Sequence, residues 1–203
     1  MSALAFDEAA HAYTFEGRPV PSVTQLLQPL SNLQMVDPAI LSAAAAFGTA
    51  VHKACELDDL GELDEEMLDP ALGPYLAGWR KFSADHDVKW SLIEGRVHNP
   101  AMGYAGTVDR FGVVKRDEAV VDLKSSAILY PTVGPQLAAY AKAIPGTTLL
   151  TKRIGVLLKP DGNYQAKVYT SSMDWAVFAS LITLRTFCAT HSIVPNFKER
   201  SHV

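Results

Sequence analysis

The sequence predicts an α/β fold in which a central mixed β-sheet has helices on both faces. Two patterns in the 203 residues support this prediction. Runs of apolar and β-branched residues between turn signals predict strands, mostly after residue 88. Apolar residues at spacings of three or four predict helices before and after those strands. Because predicted helices come before, between and after these strands, we expect helices and strands to share one core.

The composition limits the class of protein. With 48% hydrophobic and 20% charged residues, the chain can build one substantial core. We expect a single domain over residues 1–203, with an N-terminal helical extension to about residue 87 and a core over about 88–190. A formal charge of −4 argues against a surface that is basic throughout, but it allows a local basic groove.

Two features of the sequence bear on where we expect the protein to be located. No apolar run approaches the ~20 residues of a membrane span. The first eight residues also lack the basic head and long apolar segment of a secretory leader. We therefore expect a cytoplasmic protein without a membrane partner.

Helix-start signals mark the first half of the chain. Ser22 followed by Gln25 forms a capping-box pattern, and Asp37 precedes Pro38, a residue favoured in the first helical turn. The acidic stretch 58–66 is interpreted as a solvated linker. The predicted helices cover residues 22–28, 37–60 and 70–86.

Strand signals dominate the second half. One further helix, from about 132 to 145, follows the predicted strand 120–126. Ser171 with Asp174 predicts the start of a last helix. A small hairpin is also expected near the N-terminus, with its turn at Gly17. The predicted strands cover residues 12–15, 18–20, 88–97, 104–114, 120–126, 153–158 and 164–169.

The candidate site starts from two strands. Side chains alternate across a strand, so Asp122 and Lys124 share one face while Leu123 points into the core. A hairpin with the preceding strand could bring Asp109 beside Asp122. Two carboxylates suit Mg²⁺ or Mn²⁺, and a neighbouring lysine can orient or deprotonate a water molecule. The same Asp-x-Lys triplet is also typical of a solvent-facing ion pair.

Other candidates lie on neighbouring elements. Gly48 and His52 are four residues apart on a predicted helix, where glycine permits close approach of a backbone or phosphate and the imidazole could reach a metal. Packing or exposure is the alternative role for His52. Glu94 could add a ligand or hold a water molecule, or it could pair with Arg96 on the same strand face.

Two further patterns concern the substrate and the cysteines. Gln136 and Tyr140, at i and i+4 of a predicted helix, could direct both polar tips towards a phosphate, a base or the catalytic strand. Cys55 and Cys188 are far apart, and no Cys-x-x-Cys spacing occurs. The cysteines therefore support neither a zinc site nor an iron–sulfur cluster.

The order of these motifs resembles the RecB-like branch of the PD-(D/E)XK nuclease superfamily. The resemblance covers residues 47–140 and implies a restriction-endonuclease-like core. It implies metal binding by His52, Asp109, Asp122 and the Leu123 carbonyl, with Lys124 assisting the attacking water and Glu94 in a supporting catalytic role. The matching motifs are Gly48 with His52, Gly106 to Asp109, Asp122 to Lys124, and Gln136 with Tyr140.

The resemblance also implies the substrate contacts and the cofactor. Gly48, Ser125, Gln136 and Tyr140 would contact DNA, and the cation would be Mg²⁺ or Mn²⁺. Relatives with an iron–sulfur cluster hold it with four cysteines, and this chain has 2, so we expect no such cluster.

The expected function is that of a metal-dependent exodeoxyribonuclease. It would act on single strands or duplex ends in recombination, repair or phage DNA metabolism, in a bacterial or phage-infected cytoplasm. A recombination or single-strand-binding protein could be its partner. Two alternatives stay open: a structure-specific endonuclease of the same fold, and a non-catalytic nucleic-acid-binding module.

Overall fold

A computed structural model describes residues 4–8, 10–31 and 36–194. The strands are β1 (Leu4–Asp7), β2 (Ala12–Phe15), β3 (Arg18–Val20), β4 (Lys89–Asn99), β5 (Tyr104–Val114), β6 (Asp117–Lys124), β7 (Lys152–Leu158) and β8 (Tyr164–Val168). The α-helices are α1 (Val23–Leu27), α2 (Pro38–Leu60), α3 (Gly73–His86), α4 (Val133–Ala143) and α5 (Met173–His191). Short 3₁₀ helices cover Gln28–Leu30, Glu65–Met67 and Pro70–Leu72.

The central sheet has five strands in the order β4-β5-β6-β7-β8. Strands β6 and β7 run parallel, and the other neighbours run antiparallel, so the sheet is mixed as predicted. A second sheet of three antiparallel strands, β1-β2-β3, contains the predicted N-terminal hairpin. Its first strand, Leu4–Asp7, was not predicted.

Helices cover both faces of the central sheet, which confirms the predicted α/β layering. On one face, helices α1 and α4 pack on the sheet in a cluster that includes Val108 of β5 and Val120 of β6, and α5 packs on α1 and α4. On the other face, helices α2 and α3 pack on Val121 and Leu123 of β6 and on Val156 of β7. The neighbouring residues of β6 therefore enter different clusters, as the alternation of a strand requires.

Helix caps explain why α1 and α2 begin where the sequence predicts. The Ser22 hydroxyl accepts a hydrogen bond from the Gln25 N–H, and the Gln25 side chain accepts one from the Ser22 N–H. Asp37 caps α2 by accepting from the Ala39 N–H at 2.7 Å. The cap sets the residue at which α2 begins, and helical geometry then determines which of its later residues share a face.

The Ser171 hydroxyl accepts a hydrogen bond from the Met173 N–H at 3.2 Å at the start of α5. This helix begins close to where Ser171 and Asp174 predict it, but the predicted reciprocal capping box is absent. Its N-cap is Ser172, which makes no side-chain capping bond, and Asp174 instead pairs with Arg153 of β7 at 2.9 Å. An ion pair with a neighbouring strand thus takes the carboxylate that the capping-box pattern assigned to the helix end.

No helix in the described part of the chain is both long enough and apolar enough to cross a membrane.

Candidate metal centre

Strands β5 and β6 separate at the position where the predicted acids lie. Their last paired residues at this end are Arg110 and Val121. Beyond that pair, the Leu123 N–H donates to Asp109 Oδ2 at 2.7 Å. The Leu123 carbonyl oxygen lies 3.1 Å from His52 Nε2. Two side chains therefore replace strand β5 as partners of the Leu123 N–H and C=O groups.

Asp122 and Lys124 lie on one face of β6, as predicted. The Lys124 ammonium is 2.6 Å from Asp122 Oδ2, and the Asp122 side chain is fully buried while that of Lys124 is partly exposed. Neither Asp122 oxygen has a hydrogen-bond partner of acceptable geometry among the described residues. The pair is therefore not the solvent-facing ion pair considered as its alternative, because its carboxylate is removed from water.

Burial and the neighbouring charges together set the ionisation of Asp122 and Lys124. Burial raises the pKa of Asp122, and the negative charge of Asp109 adds to the increase, although the Lys124 ammonium opposes it. Burial lowers the pKa of Lys124, but attraction by Asp122 and Asp109 outweighs this, so the net pKa is raised. Lys124 is consequently a cation in the metal-free protein at neutral pH.

His52, Glu94 and Asp109 form the candidate ligand cluster. One ligand atom from each residue lies within 4.8 Å of the others. His52 Nδ1 is 3.8 Å from Glu94 Oε1 and 3.7 Å from Asp109 Oδ1. Helix α2, strand β4 and strand β5 each contribute one member, so the fold rather than local sequence assembles the group. Asp122 lies outside this three-residue group.

The orientation of His52 is fixed by the Leu123 carbonyl. A carbonyl oxygen can only accept a hydrogen bond, so Nε2 carries the proton in the contact with Leu123. In the neutral imidazole, Nδ1 then presents a lone pair towards Glu94 and Asp109. Histidine ligands of metals commonly donate their other ring N–H to a backbone carbonyl in this way. In the metal-free protein, the Leu123 carbonyl oxygen therefore accepts a hydrogen bond from His52 and orients the imidazole.

Glu94 pairs with Arg110 and not with Arg96. Arg110 Nη1 donates to Glu94 Oε1 at 3.0 Å, whereas Arg96 lies 3.6 Å from Glu8. The alternative of a Glu94–Arg96 pair was wrong because Glu94 has a left-handed backbone conformation, with φ of 46°, that interrupts the regular alternation of β4. This conformation is compatible with the carboxylate reaching the group of His52 and Asp109.

Asp58 and Asp59 do not belong to a solvated linker, which corrects that interpretation. Both residues lie in the last turn of α2. Asp59 Oδ2 accepts from Arg110 Nε at 2.6 Å and from Trp79 Nε1 at 3.0 Å. Asp58 pairs with Arg80 of α3. The acidic run is thus divided, because its first two residues complete the docking of α2.

Arg110 and Asp59 are the residues that the sequence reasoning missed. Two signals were present. Asp59 follows His52 by seven residues, about two helical turns, so both project from a similar face of α2. Arg110 lies, with Asp109, in a mainly apolar strand, β5, where an unpaired charge would be costly.

Gln136 and Tyr140 contact each other. Gln136 Nε2 donates to the Tyr140 hydroxyl at 3.3 Å, and Tyr140 is only 4% exposed. Its ring lies against Gly106, where an added Cβ would be 2.7 Å from Tyr140 Cε1. Burial, with Asp109 and Asp122 adding to it, raises the pKa of Tyr140 well above its usual value. Gln136 is half-buried and is therefore the more accessible of the two.

Gly48 and Ser125 are neighbours beside this centre. A Cβ built on Gly48 would lie 3.6 Å from Ser125 Oγ, an ordinary van der Waals distance. Helix α2 thus crosses the end of β6 at Gly48, one turn before His52. Both residues are partly exposed.

The donor set suits a hard divalent cation. Two carboxylates and one imidazole converge. The buried Asp122 carboxylate beside them contacts the Lys124 ammonium through Oδ2, and its Oδ1 has no hydrogen-bond partner among the described residues. Carboxylate oxygens and one imidazole are compatible with Mg²⁺ or Mn²⁺. No family model matches the sequence, and no curated protein matches it at a significant level.

Proposed function

We propose that this chain is a Mg²⁺- or Mn²⁺-dependent deoxyribonuclease with a restriction-endonuclease-like fold, of the RecB-like branch of the PD-(D/E)XK superfamily. The observation that carries the proposal is the convergence of His52, Glu94 and Asp109 beside the buried Asp122–Lys124 pair. These residues come from four elements that are separated along the chain. A solvated surface has no need of such an arrangement.

His52, Glu94 and Asp109 would hold the cation, and Asp122 would contribute from the adjacent strand. When bound, a divalent cation would lower the pKa of a water molecule and offset negative charge on a phosphodiester. The backbone of Leu123 links Asp109 to His52, because its N–H donates to Asp109 and its carbonyl oxygen accepts from His52. Movement of β6 would therefore alter both candidate ligands.

Lys124 would donate hydrogen bonds to the attacking water molecule or to the phosphate. Its pKa is raised in the metal-free protein, since the attraction of Asp122 and Asp109 exceeds the effect of burial. A protonated ammonium can orient a water molecule through a lone pair of its oxygen and can stabilise negative charge that develops on phosphate. Asp122 holds the ammonium at 2.6 Å.

Gln136, Gly48 and Ser125 would contact the substrate. Gln136 is accessible and is held by the buried Tyr140 hydroxyl. Gly48 and Ser125 lie close together where α2 passes the end of β6. Tyr140 would support Gln136 and would not itself bind DNA, because its side chain is buried.

We propose an exonuclease that acts on single strands or duplex ends, in recombination, repair or phage DNA metabolism. The test is digestion of end-labelled linear DNA and of circular single-stranded DNA, with Mg²⁺ or with a chelator. Release of mononucleotides from linear DNA alone supports an exonuclease, whereas opening of the circle would indicate an endonuclease.

A matched pair of variants controls the digestion. Lys124→Met removes the ammonium beside Asp122, and Lys152→Met removes an exposed ammonium at the start of β7. We expect the first variant to lose cleavage and the second to retain it. Equal cleavage by both purified variants would contradict the proposed role of Lys124. Metal binding without any cleavage by the wild type would favour a binding module.

A further inference from the structure

A buried guanidinium lies behind the candidate metal centre. Arg110 is 0% exposed and follows Asp109 directly on β5. Its Nε donates to Asp59 Oδ2 at 2.6 Å, and its Nη1 donates both to Glu94 Oε1 at 3.0 Å and to the Asp109 carbonyl oxygen at 2.6 Å. One side chain thus contacts α2, β4 and β5, the elements that carry the three candidate ligands.

The contact with Asp59 fixes helix α2. Asp59 follows His52 by seven residues, so the ion pair lies about two helical turns from the imidazole. Trp79 of α3 donates to the same carboxylate oxygen at 3.0 Å, and its ring lies 5.5 Å from the Arg110 guanidinium carbon. Rotation or translation of α2 that moved His52 away from Asp109 would break these contacts.

The contacts of Nη1 fix the two acids relative to each other. The same Glu94 oxygen that binds Arg110 is the one that lies 3.8 Å from His52 Nδ1. Glu94 has a left-handed backbone conformation, which a residue with a β-carbon rarely adopts without support from its surroundings. Arg110 supplies that support through the carboxylate, while it also binds the backbone of Asp109.

We propose that Arg110 is a positioning residue that sets the spacing of His52, Glu94 and Asp109 and thereby the affinity of the site for its divalent cation. The inference rests on the proposed function for the cation itself. The contacts of Arg110 with Asp59, Glu94 and Asp109 are present in the metal-free protein.

A purely structural role explains the arrangement less well. A buried ion pair often gives little net stability relative to apolar side chains of similar volume. In addition, Arg110 Nη2 has no hydrogen-bond partner among the described residues, so the burial of this cation is incompletely compensated. A tether to the candidate ligands accounts for a guanidinium at this position.

The test separates metal affinity from stability. Asp59→Asn leaves Arg110 as a buried cation that still contacts Glu94, whereas the double variant Asp59→Asn/Arg110→Met removes both charges and keeps an acceptor for Trp79. We expect the double variant to be more stable than Asp59→Asn but to bind Mn²⁺ about ten- to a hundredfold more weakly than the wild type. Asp59→Asn should bind Mn²⁺ more tightly than the double variant. Calorimetry with Mn²⁺ and thermal unfolding give the two orders.

Two further variants complete the design. Arg80→Met removes a partly exposed guanidinium that pairs with Asp58 at the same end of α2, so it should leave Mn²⁺ affinity unchanged. Arg110→Lys retains a cation beside Asp59 but lacks the fork that reaches two further oxygens. It serves if the double variant does not fold, and we expect intermediate affinity.

A metal-free crystal structure of the double variant, or of Arg110→Lys, supplies a readout without the cation. We expect Glu94 to withdraw, so that the three ligand atoms no longer all lie within 4.8 Å of one another. Unchanged spacing together with wild-type Mn²⁺ affinity would overturn the inference, as would an affinity order that follows stability. A wild type that binds no Mn²⁺ would instead contradict the proposed function, and the spacing would still decide the role of Arg110.

Discussion

Asp59 and Asp122 are two carboxylates that are similarly buried but differ in the hydrogen bonds they accept. The Asp59 side chain is 9% exposed and that of Asp122 is 0% exposed. Burial raises the pKa of both, and a neighbouring cation opposes the increase in each case. Asp59 receives hydrogen bonds from Arg110 and Trp79, whereas Asp122 has an ion pair with Lys124 but no hydrogen bond of acceptable geometry.

This difference indicates different roles. A buried carboxylate with its donors in place can hold two elements together at a defined distance. A buried carboxylate that makes an ion pair through one oxygen and has no hydrogen bond to the other retains acceptor positions that a cation can occupy. We therefore expect substitution of Asp59 to act mainly on stability, and substitution of Asp122 to act mainly on cleavage.

The largest expected effect is on cleavage by Asp122→Asn. Loss of this charge should reduce the cleavage rate by about 10³-fold or more, because it removes a carboxylate that would stabilise the cation and Lys124. The variant should remain folded, since it replaces a buried charge by a neutral side chain of the same shape. Cleavage of labelled linear DNA and circular dichroism measure the two properties.

Asp117→Asn is the matched control for that experiment. Asp117 lies at the other end of β6, is exposed, and is 4.0 Å from Lys152. It should cleave at the wild-type rate. If purified Asp122→Asn, free of host nucleases, cleaved DNA at the wild-type rate, Asp122 would have no role in cleavage.

Asp59→Asn should give the largest loss of stability. It leaves the fully buried Arg110 without its closest counter-charge, which we expect to lower the free energy of unfolding by about 3 kcal/mol. Asp58→Asn is the control, because Asp58 pairs with the exposed Arg80 and should contribute less than about 1 kcal/mol. Urea denaturation measures both, and equal losses would mean that the buried network has no special weight.

Addition of metal should stabilise the wild type. Mn²⁺ at about a hundred times its dissociation constant should raise the free energy of unfolding by about 2.7 kcal/mol, because it binds only the folded ligand set. His52→Gln should reduce this gain, since it removes the imidazole that faces Glu94 and Asp109. Thermal unfolding with and without Mn²⁺ measures the gain. An equal gain in His52→Gln would place the binding elsewhere.

The smallest expected effect is a pH dependence of the metal-free protein. Burial lowers the pKa of His52, but Asp109 and Glu94 raise it to a net value above 6.5. A raised pKa in the folded state means that protonation of His52 stabilises the fold. This contribution is fully present below pH 6.5 and is lost as the pH rises through the raised value.

The corresponding measurement compares unfolding of the wild type and His52→Gln in a chelator. The stability advantage of the wild type should decrease as the pH rises above 6.5. His191→Gln, on the exposed last turn of α5, is the control. An advantage that grows with pH would show that the sign of the shift is wrong.

Local signals predicted the elements that carry the site. The Asp37–Pro38 cap set the start of α2 and hence the position of His52 along it. Strand alternation placed Asp122 and Lys124 on one face of β6, where they form an ion pair. These features depend on residues that are close in sequence, which is why patterns of short range predict them.

The sequence did not predict the buried network, because its contacts depend on tertiary docking. Arg110 and Asp59 are 51 residues apart and meet only after α2 packs on the sheet. The left-handed conformation of Glu94 also has no local signature, since glutamate has no special preference for it. In α5, Leu184 is 36% exposed although Phe178 and Ile182 of the same helix are buried, because apolar side chains occur on more than one face of that helix.

The backbone N–H of Leu123 can serve as an NMR probe of the candidate metal centre. Its N–H donates to a carboxylate at 2.7 Å, and hydrogen bonds to charged acceptors are shorter and stronger than neutral ones. The amide proton of Leu123 should therefore resonate downfield of those in ordinary strand pairs and exchange slowly with solvent. Because Asp109 is both its acceptor and a candidate ligand, titration with diamagnetic Mg²⁺ should shift this resonance and report occupancy of the centre without any added label.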